Sequence, residues 1–290
     1  MAIKTKELHS TVSRRGPYGV DRGDLGFTGT AGTIYVPRGA ASPAPVVGWA
    51  HDWTKGPGDY EDTLKHLASW GFVVVAPATD RSPRPNHQHF ADHLSAAIEN
   101  TLQATLGRGA VRADPRRIGL AGHGLGGGVS ALLASQRTDI RSVAMVFPTE
   151  TVPPAAERAV LIDAPGLLLS ASGGTHSEDA RDLHLAWRGE LTHRRLDKVI
   201  ETGLVEAAPL VKYVGLADPD PRTQRAVRPL LAGYLLATLA EDADYGAFAD
   251  PEAAFKDSTS VTDEMLDEEG DDALSDTPPV LKLIKTFTGT

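Results

Sequence analysis

Cysteine is absent from all 290 residues, so neither a disulfide nor a thiolate metal site can form. Basic residues are in the minority, 29 against 38 acids, and nowhere cluster into a stripe. A chain with a formal charge of −9 and no basic face is not expected to hold nucleic acid. No apolar run is long enough to cross a bilayer, so no transmembrane segment is expected. Residues 1–15 mix lysines, a glutamate and a histidine without the apolar stretch of a secretion signal, so a cytoplasmic location is expected. The Gly126-Gly127-Gly128 run lacks the spacing of a dinucleotide fingerprint, and no Walker lysine accompanies it. No cofactor and no resident metal are therefore expected. His87, His89 and His93 have a spacing compatible with a metal, but no carboxylate motif completes the set, and solvated histidines at a helix entry are the simpler reading.

With 41% hydrophobic residues the chain can bury one substantial core. Apolar runs bounded by turn residues alternate with helical segments, the pattern of a mainly parallel sheet covered on both faces. Strands are predicted at Thr33–Val36, Pro45–Trp49, Phe72–Ala76, Arg117–Ala121, Ser142–Phe147, Gly166–Ser170 and Leu210–Val214, the first of them pairing antiparallel. Helices are predicted at Tyr60–Trp70, Phe90–Leu106, Leu125–Gln136, Ser177–Arg188 and Thr223–Leu239. Arg188–Lys198 reads as a solvated helix face, and His184–Pro209 as a helical cap or a lengthened crossover. Charge is uneven: residues 251–290 carry ten acids and three lysines, a balance of −7. The expected organisation is one domain over residues 1–250, an acidic disordered linker over 251–277, and a short apolar segment over 278–290 that packs in cis or adds a strand to a partner protein.

Leu120 to Gly128 reads Leu-Ala-Gly-His-Gly-Leu-Gly-Gly-Gly. This has the form of the Gly-x-Ser-x-Gly elbow, in which a strand turns sharply into a helix and lifts a nucleophile above the sheet, with Gly124 at the nucleophile's place. Other blocks agree with it in order: Arg15-Gly16-Pro17-Tyr18, Gly32-Thr33-Ile34-Tyr35-Val36-Pro37, Gly71-Phe72-Val73-Val74-Val75-Ala76, and Glu241-Asp242 with Tyr245 and Phe248. On these residues the chain resembles the bacterial polyester hydrolases and cutinase-like triacylglycerol lipases, relatives of the dienelactone hydrolases. That resemblance implies an α/β-hydrolase fold over most of Arg15–Phe248.

It also implies where a reaction centre would stand. The oxyanion hole would use the backbone N–H groups of Leu125 and Trp53, donors that need no particular side chain. The catalytic acid would follow the strand Gly166–Ser170, where Gly174 stands. The base would follow the last strand, at Ala217 or Asp218, and no histidine occurs after His193. A Ser-His-Asp triad acts as a unit, so vacancies at Gly124, Gly174 and Asp218 imply a chain without serine hydrolase activity. Glycine at the elbow also relieves a strain of about 1–3 kcal/mol that a serine there would carry.

The expectation is a catalytically inactive hydrolase homologue that binds an acyl or ester group, or acts as a scaffold. Trp53, Leu125, His51, Asp52 and His123 are its expected ligand-binding residues. The alternative is an esterase- or lipase-like hydrolase, or another enzyme, with an acid and base site around His51, Asp52 and His123. At His176, Glu178 and Asp179, helix capping by Thr175 or Ser177 is preferred to catalysis.

Overall fold

Runs such as Ala44-Pro45-Val46-Val47-Gly48-Trp49-Ala50 are apolar at every position because both faces of their sheet are covered, so neither alternate set of side chains meets water. In a computed structural model, residues 2–79, 82, 84–206 and 219–275 are described. In chain order the elements are α1 (Ala2–Val12), β1 (Gly19–Asp24), β2 (Gly32–Arg38), β3 (Ala44–Ala50), α2 (Glu61–Ser69), β4 (Val73–Pro77), α3 (His87–Gln103), β5 (Thr105–Leu106), β6 (Val111–His123), α4 (Leu125–Ala134), β7 (Ile140–Val146), α5 (Ala155–Ala159), β8 (Gly166–Ala171), α6 (Ser177–Ala186), β9 (Leu191–Leu196), α7 (Pro221–Thr238), β10 (Ser258–Ser260) and α8 (Asp263–Ser275).

The strand order is β1-β2-β4-β3-β6-β7-β8-β9-β10, with β5 paired to β6. Strands β4 to β9 along this order run parallel, while β1, β2 and β10 are antiparallel to their neighbours. Alternate residues divide the core. Val47, Val74, Ala121, Val146 and Leu169 face α2 and α7, meeting Leu64, Leu67, Leu231 and Leu235. Val46, Val73, Leu120, Met145 and Leu168 face α3 and α4, meeting Leu94, Ile98, Val129 and Leu132. A mainly parallel sheet with helices on both faces, its first strands antiparallel, is the α/β-hydrolase arrangement expected from the sequence.

Two expectations fail at the C-terminal half. Arg188–Lys198 is not a solvated helix face: it contains β9, parallel to β8, with His193, Arg194 and Leu196 buried. Of the segment His184–Pro209, the described residues 184–206 form no helical cap, since after the end of α6 they supply a strand and then a short turn of helix over Glu201–Leu204. Strands of mixed polarity are hard to read when, as here, one buried residue is an arginine. The expected strand Leu210–Val214 lies outside the described residues.

The domain boundary also moves, because the first compact unit extends over Met1–Ser260. Arg194, 1% exposed, donates from Nη1 to the Ala253 carbonyl and from Nη2 to the Asp250 carbonyl, both at 2.7 Å, and its guanidinium lies 4.7 Å from the Phe255 ring centre. Those contacts bring residues 258–260 alongside β9 as β10. The second unit is Val261–Thr290. Within it residues 263–275 of the acidic stretch expected to be disordered form α8, and just before it Thr262 Oγ1 accepts from Met265 N at 3.4 Å. The apolar segment 278–290 lies outside the described residues. Among the described residues no helix is long and apolar enough to cross a membrane.

Candidate functional site

Strand β6 ends at His123 and α4 begins at Leu125, so the whole reversal falls on Gly124, at φ 56° and ψ −122°. This is a positive-φ conformation that a residue with a side chain adopts only under strain. Close packing surrounds the turn. A β-carbon at Gly126 would run into the Ala50 carbonyl, and one at Gly122 into the Gly126 carbonyl. Gly124 is fixed by its own bonds, its N–H donating to the Val146 carbonyl at 2.9 Å and its carbonyl accepting from Gly127 and Thr149. The elbow is thus built in full, except for the side chain it normally lifts.

Another side chain takes that place. Asp52, following β3, turns its carboxylate over Gly124, so closely that an added β-carbon would overlap Oδ1. The same Oδ1 accepts from Trp53 N at 2.7 Å and from Leu125 N at 2.9 Å. Those are the two donors expected to form an oxyanion hole, and they sit at the amino end of α4, where the helix favours a negative charge. The expectation of an open hole for a ligand's carbonyl is corrected: Asp52 occupies it.

His123 and His51 are brought near but turned to other work. His123, 1% exposed, points Nε2 at the Glu201 carbonyl 2.7 Å away, an acceptor, so Nε2 carries the proton. Its Nδ1 then accepts from the Tyr60 hydroxyl at 2.9 Å, and that hydroxyl in turn accepts from Asp52 N at 3.2 Å. Burial holds the His123 ring below its ordinary pKa, against the opposing pull of Asp52. His51, fully buried, directs Nδ1 to the Asp52 carbonyl at 2.9 Å and accepts at Nε2 from Thr79 N and Oγ1. Both rings have their nitrogens bonded within the fold and away from the elbow. They fix the backbone of Asp52. Trp53 remains half-exposed, its indole N–H donating to the Ser82 carbonyl at 3.1 Å.

The acid position is also filled. A β-carbon at Gly174, three residues after β8, would overlap the Glu201 carboxylate. Glu201 accepts from Thr175 N at 2.9 Å and His176 N at 3.2 Å, tying down the turn before α6, whose N-cap residue His176 makes no side-chain capping bond. Glu201 is a residue that sequence reasoning missed. The base is expected at Ala217 or Asp218, while β9, the last parallel strand among the described residues, ends at Leu196. Ala217 and Asp218 lie outside the described residues. The available signal for β9 was Leu191 to Leu196 between Gly189 and Lys198, a short segment of strand length.

Two further histidine groups lie apart from the elbow. Ser170 Oγ is 2.8 Å from His193 Nε2, and His193 Nδ1 is 2.8 Å from His184 Nδ1. This has the connectivity of an activated serine, but Ser170 and His193 are 5% and 2% exposed beneath α6, and burial pushes His193 well below its ordinary pKa. At the start of α3, His87 Nδ1 accepts from Val152 N at 2.9 Å, while the rings of His89 and His93 stack 6.5 Å apart.

Comparison with known proteins agrees with the fold. A family model described as chlorophyllase matches residues 31–149. Lipase 1 of Moraxella sp. (strain TA144) is 35% identical over 128 residues, 42% of this chain and 38% of that protein. Cutinase est1 of Thermobifida alba is 32% identical over 148 residues, 47% of each chain. Cutinase 2 of Thermobifida cellulosilytica is 30% identical over 148 residues, 53% of its own length. The chain spans about half the length or less of these curated relatives. Strand order, elbow and similarities together make this an α/β-hydrolase-fold chain that resembles the cutinase-like lipases.

Proposed function

We propose that this chain is a hydrolase homologue that binds an acyl or ester group beside Trp53 and does not cleave it by serine chemistry. The observation that carries the reading is the Asp52 carboxylate, bonded to both Trp53 N and Leu125 N over a glycine. A ligand carbonyl reaches those donors only by displacing Asp52, so binding and movement of Asp52 are coupled. The half-exposed Trp53 indole is the apolar surface next to that point. A protein contact through the C-terminal segment 278–290 belongs to the same proposal, on its composition alone.

A second reading is that the chain is an esterase- or lipase-like hydrolase using a carboxylate in place of serine. The comparisons favour it, because the relatives are named as lipase and cutinases and carry no sign of inactivity. Asp52 Oδ1 also stands where a nucleophile would attack, so it is the residue to which such an activity would be traced.

One set of measurements separates the two. The full chain is offered short- and medium-chain p-nitrophenyl esters and a fluorophosphonate probe, and Trp53 emission is followed with a medium-chain fatty acid. Saturable quenching that vanishes in Trp53→Phe, with neither turnover nor labelling, is the expected result. Turnover that is lost in Asp52→Asn would establish the hydrolase reading, and covalent labelling of any serine would overturn the binding one.

A further inference from the structure

On the α2 and α7 side of the sheet, away from the elbow, lies a cavity of about 480 Å³ whose lining includes Arg15, Arg225, Arg228, His9, His66 and Asp62. Three guanidinium groups thus face one carboxylate. Their bonding differs. Arg228 is held in place, its Nε donating to Thr63 Oγ1 at 3.0 Å and its Nη2 to Glu206 Oε1 at 2.8 Å. Glu206 is itself committed to the first turn of α2, accepting from Asp62 N and from Thr63 N and Oγ1. Arg225 donates Nε to the Pro221 carbonyl at 2.8 Å, and among the described residues no acceptor is bonded to its terminal nitrogens. Arg15 meets Asp62 only at 3.9 Å, with both side chains largely exposed. Two forks of N–H donors are therefore uncommitted at this cavity.

The fourth feature is a buried acceptor. His66, on α2, is 6% exposed, and its ring is bonded to the Val12 carbonyl, while Nε2 is buried with no hydrogen-bond partner. A ring that donates to a carbonyl through Nδ1 offers a lone pair at Nε2, and a buried lone pair without a donor costs about 1–3 kcal/mol. Arg15 and Arg228 beside it oppose any proton there. The site thus combines acceptor-seeking guanidinium groups with one donor-seeking nitrogen.

We propose that this cavity binds a hydrogen phosphate group, either free or as the singly protonated head of a phosphomonoester. Such a group has oxygens that accept from guanidinium forks and one hydroxyl that donates to the His66 lone pair. A carboxylate or sulfate has the oxygens but no proton at neutral pH, so it leaves Nε2 unsatisfied. Arginine suits the planar, two-pronged contact with phosphate oxygens. The volume exceeds what one tetrahedral anion needs, leaving room for an organic remainder.

The test titrates the full chain with inorganic phosphate, glycerol phosphate and sulfate, by calorimetry and by the His66 imidazole signal in nuclear magnetic resonance. Saturable phosphate binding that moves the His66 signal is expected, with sulfate about tenfold weaker or worse, and a similar loss in Arg15→Gln/Arg225→Gln. Tighter binding of glycerol phosphate assigns the site to phosphomonoesters, and tighter inorganic phosphate assigns it to the free ion. Absence of saturable binding, equal binding of sulfate, or unchanged binding in a double variant of unchanged melting temperature would overturn the proposal.

Discussion

At the scale of single residues, Gly124 and Asp52 form one unit, and a substitution at either is felt by both. Serine at position 124 must adopt φ 56° and push the Asp52 carboxylate from Trp53 N and Leu125 N. Gly124→Ser is expected to destabilise the chain by about 1–3 kcal/mol in chemical denaturation. The loss should shrink in an Asp52→Gly background, since the clash is then gone, and additive losses would show that the two sites do not interact. Neither variant is expected to hydrolyse p-nitrophenyl esters, because His51 and His123 both have their ring nitrogens bonded elsewhere. Of this centre, the glycine was legible from its flanking pattern, and so were the two backbone donors. That Asp52 would fill the gap was not, because which side chain enters a space depends on how two loops from different strands meet.

At the scale of elements, legibility followed burial. Strands β3 and β4 are apolar throughout, and β7 and β8 carry long apolar runs beside Arg141, Ser142 and Ser170, so all four could be read directly, whereas β9 hides a buried arginine and β10 has three polar residues. Helix α8 was obscured by its acidity, which suits its first turn and leaves few apolar positions to reveal a period. Arg194 joins β9 to residues 250–260. Burial lowers its pKa from 12.5 to about 10, so its charge is retained at neutral pH. Arg194→Ala leaves two carbonyls, those of Asp250 and Ala253, without their donor and removes the cation from the Phe255 ring. A loss of about 2–4 kcal/mol is expected in chemical denaturation. Limited proteolysis should then cut first within residues 250–260, and cutting spread evenly over the chain would contradict this anchoring role.

At the scale of the whole molecule, histidines buried at separate places give the fold a common response to acid. Burial, reinforced by Arg228 and Arg15, lowers His66 from 6.5 to about 4, and burial also depresses His123 and His193. A base whose folded pKa is depressed binds its proton more readily when unfolded. Stability is therefore full above about pH 6.5 and declines as pH falls toward 4, with His66 alone accounting for about 3 kcal/mol. Denaturation at a series of pH values should show that slope, flattened in His66→Gln, and a profile level through this range would refute it. The pair of carboxylates at the elbow has a consequence for substitution. Asp52 lies over the nucleophile's place and Glu201 over the acid's, so a substitution at Gly124 or Gly174 alone meets a clash before it gains any chemistry. Under the proposed reading the two sites are therefore locked in pairs: a side chain at position 124 or 174 needs a matching change at Asp52 or Glu201 before it can be seated.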